Sequence, residues 1–167
     1  VSVNSVFATD VDGDGDLDAL SASPRSDTVA WYENDGVQNF TQHVIFSAQA
    51  LDGAFYVHTA DVDGDGDNDI LSASKFGDTI AWYENQGLVF IEHVITTTAT
   101  FSTTIFATDL DSDGDVDILA DETQLAWYEK RLGDGELLRA AGNALGIALV
   151  SSCVATVLGA MAGIAMH

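Results

Sequence analysis

The chain has one cysteine, Cys153, so no disulfide can form within it. Positive charge is nearly as scarce: five Lys and Arg residues stand against 27 Asp and Glu, for a formal net charge of -22. Nucleic acid and anionic lipid headgroups are bound mainly by cationic side chains, so both are poor partners for this surface. No stretch of the sequence reads as a signal peptide. Val1 falls inside what reads as a repeat, and the chain is expected to be a piece of a longer protein. Apolar residues are not scarce. With 47% hydrophobic and 9% aromatic residues, the 167-residue chain is too apolar for an acidic disordered segment and has one ordinary domain's worth of length.

The negative charge is concentrated in one motif. "DVDGDGDLD" over 10–18 places aspartate at every second position, and "DVDGDGDND" over 61–69 and "DLDSDGDVD" over 109–117 repeat it. Two carboxylates about 5 Å apart repel by roughly 3 kcal/mol at an effective dielectric near 20. Several such pairs rival the whole stability of a domain, about 5–15 kcal/mol. The flanks recur as well, with "FATD", "HTAD" and "FATD" ahead of the loops and "TVAWYENDG", "TIAWYENQG" and "QLAWYEK" after them. "HVI" recurs at 43–45 and 93–95. The chain therefore reads as two full units and most of a third.

Within a unit, "TVAWYEN" alternates Val29, Trp31 and Glu33 on one face with Ala30 and Tyr32 on the other. Both faces carry apolar groups, which predicts a strand in a sheet covered on both sides. The strands expected in the first unit are 6–9, 18–22, 28–34 and 40–46, with turns at "NDG" and, in the second unit, "NQG". Four short strands per unit of about 50 residues fit a β-propeller blade, the bulky Trp face of one blade meeting the small Ala positions of the next. The predicted fold class is all-β: a partial propeller of four-stranded blades, two full and one incomplete, plus a C-terminal hydrophobic helix. The expected boundaries are 1–48 and 49–99 for the full blades, 100–130 for the incomplete one, 131–139 for a linker and 140–166 for the helix. Fewer than three blades cannot close, so further blades or self-association are expected to cover the open faces.

Alternate aspartates around a glycine turn can converge on one cation. Calcium takes 6–8 oxygens in a flexible shell and fits this donor set best. The expected ligands are Asp10, Asp12, Asp14, Asp16 and Asp18 in the first loop, with Asp16 offering its backbone carbonyl. They are Asp61, Asp63, Asp65, Asp67 and Asp69 in the second, and Asp109, Asp111, Asp113, Asp115 and Asp117 in the third. Up to three Ca²⁺ ions are expected, one per loop. An EF-hand needs a bidentate Glu at position 12, where this chain has Ser21, Ser72 and Ala120. The loops hold no Cys or His, which argues against zinc or copper.

The loops with their flanks resemble FG-GAP repeats, also called VCBS-type repeats, of integrin α-chain propellers and many secreted proteins. The resemblance covers about residues 1–130. It implies a calcium ion in a D-x-D-x-D-G-x-x-D loop between the first two strands of a blade, and all three loops match that pattern at every ligand position. The "FG" and "GAP" words themselves are replaced by "FATD" and "LSAS".

From Ala140 to Met166 no residue is charged, and Gly142/Gly146 and Gly159/Gly163 form two G-x-x-x-G pairs. As a helix this segment would be about 40 Å long, enough for a bilayer core of about 30 Å. A membrane span is expected there, with the repeats outside the cell. Lys130, Arg131 and Arg139 ahead of it favour the opposite topology. "NFT" at 39–41 is a glycosylation sequon at the start of an expected strand, a placement that works against its use. His43 and His93 are repeat-equivalent and read as framework, and no nucleophile–base pair stands out. The functional expectation is a membrane-anchored extracellular binding or adhesion module for a protein or glycan ligand, not an enzyme and not a nucleic-acid binder. The alternative is a spacer or an accessory domain of a secreted polysaccharide-active enzyme.

Overall fold

A computed structural model describes residues 2–47, 53–121, 125–130 and 137–141. Among these residues twelve strands form three separate four-stranded sheets, each antiparallel in simple sequence order. The first holds β1 (Ser5–Thr9), β2 (Asp18–Ser23), β3 (Thr28–Asn34) and β4 (Phe40–Ser47). The second holds β5 (Ala54–Ala60), β6 (Asp69–Ser74), β7 (Thr79–Asn85) and β8 (Phe90–Thr96). The third holds β9 (Ile105–Thr108), β10 (Asp117–Asp121), β11 (Leu125–Lys130) and β12 (Leu137–Ala141). The alternating patterns locate the strands of the first sheet to within a residue at each end.

The third sheet corrects two expectations. It is a complete four-stranded sheet, and its fourth strand lies where a linker and the start of a helix were expected. β11 offers an open row of backbone donors and acceptors, and β12 pairs with it through Tyr128↔Arg139 and Glu129↔Leu138. Such pairing needs no apolar alternation, and "LLRAA" has none. The remainder of the expected helix, 142–166, and with it Cys153, lies outside the described residues, as does His167. Among the described residues no helix is long and apolar enough to cross a membrane.

The sheets pack face to face. Leu20, Val29 and Trp31 of the first sheet share one core with Val57, Ile70, Ala81 and Tyr83 of the second. Leu71, Ile80 and Trp82 on the other face of the second sheet share another with Ile105, Ile118, Ala126 and Tyr128 of the third. The expected large-to-small match is present at both junctions, Trp31 clustering with Ala81 and Trp82 with Ala126. Each large side chain buried here contributes about 1.5–3 kcal/mol.

The repeated "HVI" acquires a structural meaning. The register slips between Val29 and Ala30, whose partners are Phe46 and Val44, so Ile45 is the extra residue of a bulge; Ile95 occupies the same place in the second sheet. Ile45 and Ile95 pack on the two cores, while Val44 and Val94 stay exposed. The histidine stacks on the cross-strand tryptophan, His43 on Trp31 and His93 on Trp82, both at 4.5 Å between centroids. Its Nε2 lies 2.7 Å from Glu33 Oε2 in the first sheet and from Glu84 Oε2 in the second. His58 lies between the rings of Phe7 and Phe106, and burial pushes its pKa down. The first-strand edges of the three sheets thus meet through aromatic rings.

Candidate metal centre

Each aspartate loop joins the first two strands of its sheet. The glycines supply backbone that other residues avoid: Gly15, Gly66 and Gly114 have φ of 96°, 100° and 97°. Around that bend the first aspartate accepts two backbone N–H groups. Asp10 Oδ1 accepts from Gly13 at 2.8 Å and Oδ2 from Gly15 at 3.0 Å. Asp61 repeats this with Gly64 and Gly66, and Asp109 with Ser112 and Gly114.

The last aspartate of each loop is the first residue of the second strand and is buried, with 1% exposure at Asp18, Asp69 and Asp117 alike. Asp18 Oδ2 accepts from Val11 N–H at 3.0 Å and Oδ1 from Asn34 N–H at 2.8 Å. Asp69 accepts from Val62 and Asn85, both at 2.8 Å. Asp117 Oδ2 accepts from Leu110 at 2.9 Å. These carboxylates pin the loop to the sheet.

Three of the five aspartates of each loop converge. Asp10, Asp12 and Asp18 each present one oxygen within 4.8 Å of the others, as do Asp61, Asp63 and Asp69, and Asp109, Asp111 and Asp117. At that separation each charged pair repels by about 3 kcal/mol at an effective dielectric near 20. The other expected ligands fall outside these groups. Asp14, Asp65 and Asp113 each accept the backbone N–H two residues on, that of Asp16, Asp67 and Asp115. Asp16 Oδ2 lies against Gly36 of the β3–β4 turn, so close that a Cβ there would collide with it.

The electrostatics match the geometry. Burial pushes the Asp69 pKa up to about 6, and the charges of Asp63 and Asp65 push the same way, against the lowering effect of the Asn85 and Val62 N–H groups. Burial also raises Asp117, Asp12 and Asp63. The donor set is entirely oxygen and anionic, which suits a hard divalent cation, and each three-carboxylate group can hold a metal ion.

The sequence reading missed the residues that brace these groups. The recurring Asn of "WYEN" is one: Asn34 Nδ2 donates to Leu17 O, and Asn85 Nδ2 to Asn68 O. The repetition of "WYEN" after the first two loops was the available signal. Residues 10–72 and 61–120 each match the family model of the FG-GAP-like repeat, the first span taking in loops one and two and the second loops two and three. No curated protein matches the chain.

Proposed function

The chain belongs to the FG-GAP-like repeat family, and on that premise we propose that it is a calcium-stabilised binding or adhesion module whose sheets are blades of an open propeller. The observation that carries this reading is the threefold recurrence of one convergent carboxylate group, built on one buried aspartate, at one place in each sheet. Asp10, Asp12 and Asp18 would hold the first ion, Asp61, Asp63 and Asp69 the second, and Asp109, Asp111 and Asp117 the third. A bound Ca²⁺ supplies positive charge that relieves the repulsion within each group. Its role is to stiffen the blade, and the chain's histidines support binding over catalysis, since His43 and His93 are engaged with Trp and Glu in the framework.

Equilibrium dialysis against millimolar calcium, the range of extracellular modules, tests the reading. Up to three ions per chain are expected, and fewer with Asp12→Ala or Asp63→Ala. A chain that retains none overturns it.

A groove of about 470 Å³ between the first two sheets, lined by Trp31, Glu33, Gln42, His43, Leu88 and Phe90 among others, suits a protein side chain or sugar ring. A glycan and protein array, run with and without chelator, separates a binding module from a spacer. The outer face of the first sheet carries a hollow of about 230 Å³ lined by Ser21, Ser23, Thr28, Ala30, Tyr32 and Val44. The matching Ser72, Ser74, Thr79, Ala81 and Tyr83 are buried, and Ala81 and Tyr83 share their core with Trp31 of the first sheet. A further blade or a second copy would cover the hollow in the same way.

Extracellular display on a membrane anchor rests on the calcium loops and on the uncharged tail. The sequon offers a test of sidedness. Asn39 is exposed in the turn ahead of β4, and its Nδ2 donates to Asp35 Oδ2 at 2.7 Å. Expressed in a eukaryotic secretory host, the chain should gain a glycosidase-sensitive mass that Asn39→Gln abolishes. A secreted chain of unmodified mass would show that the sequon is not used.

A further inference from the structure

We propose that the first two metal centres are thermodynamically coupled, and the third is not coupled to them in the same way, because two asparagines of the second unit bond to the backbone of the first loop. This inference rests on the calcium reading above.

The path is continuous and short. Asp18, buried in the first group, accepts the Val11 N–H. The Val11 carbonyl accepts from Asn85 Nδ2 at 3.2 Å, across 74 residues of sequence. The Asn85 N–H donates to Oδ1 of Asp69, the buried member of the second group. Two residues, Val11 and Asn85, therefore link the two buried carboxylates. A second strap runs beside it. Asn68, the neighbour of Asp69, donates its Nδ2 to the carbonyl of Asp10 at 2.9 Å and to Thr9 Oγ1 at 3.3 Å.

Asn85 has 2% exposure, and its side-chain amide is engaged at both ends. Both Nδ2 hydrogens are used, toward Val11 O and Asn68 O, and its Oδ1 accepts the Leu88 N–H at 2.8 Å. Its position therefore ties the first loop, the second loop and the β7–β8 turn together. An ion that fixes Asp10 and Asp18 orders the Asp10–Val11 backbone, and that backbone orders the residues carrying Asp69. The second ion then meets a loop already ordered, which gives positive cooperativity without a change of fold. The third unit carries Val116 where the second has Asn68, and Lys130 where it has Asn85. Val116 has no side-chain donor, so the Asn68 strap has no counterpart at the next junction.

The test is calcium titration calorimetry on four variants, with circular dichroism as the check of folding. Asp111→Ala leaves the first two sites. Asp111→Ala with Asp63→Ala leaves the first alone, and Asp111→Ala with Asp12→Ala leaves the second alone. Asp12, Asp63 and Asp111 suit this purpose because none is the buried anchor of its loop. Coupling predicts that the pair binds at least about 5-fold more tightly than its two isolated members combined, the low end of ordinary allosteric coupling. Adding Asn68→Val, the residue the third loop carries, removes one of the two straps and should lower that factor while both ions still bind. Two sites in Asp111→Ala with the affinities of the isolated ones would overturn the coupling and leave calcium binding intact. Absence of calcium heat from every variant would overturn both.

Discussion

Asp69 shows at a single residue how charge and fold oppose each other. Its pKa of about 6 lies above the roughly 3.9 of an unfolded aspartate. Between about pH 4 and 6 the native state therefore holds more protons than the unfolded chain, and this contribution to stability falls as pH rises through that window. In calcium-free buffer the melting temperature of the native sequence, relative to Asp69→Asn, should rise on acidification from pH 7 to pH 5. Saturating calcium favours the carboxylate and should flatten the difference. An Asp69→Asn chain with the same metal-free pH slope as the native one would show that another group titrates there.

At the level of elements, stability resides in the junctions between sheets. Trp82 is buried between the second and third sheets. Trp82→Ala should cost about 3–5 kcal/mol, measured by denaturant unfolding at fixed calcium. His93→Ala removes a half-exposed ring that stacks on the same indole and should cost well under half as much. The sequence displayed most of this architecture, since Val-Ala-Trp-Tyr alternation and Asp-x-Asp spacing are local patterns that repeat. It concealed β12, whose Leu137–Ala141 has neither alternation nor a repeat partner and owes its pairing to the open edge of β11. The crowding of carboxylates in the loops was legible from spacing alone, but not which three of five converge, because the buried Asp18 is fixed by the N–H groups of Val11 and of Asn34, the latter 16 residues away. Asn68 and Asn85 escaped notice because their partners, Asp10 and Val11, lie 58 and 74 residues away.

For the whole molecule, bound calcium would act together with net charge. Three divalent ions would offset six of the 22 excess negative charges. An ion that binds only the folded state adds about 2.7 kcal/mol per site at a concentration 100 times its dissociation constant. Excess chelator should therefore lower the melting temperature by many degrees, and an unchanged melt would contradict a stabilising role. The architecture also has a mechanical side. Among the described residues backbone hydrogen bonds form three separate ladders, one per sheet, and no strand of one sheet pairs with a strand of another. A load applied along the chain would meet side-chain contacts at each junction and a full ladder only inside each unit. Under an optical trap the protein should yield like a short stack of plates, parting first at the seams and surrendering each plate afterwards, with the seam spanned by Asn68 and Asn85 holding longest.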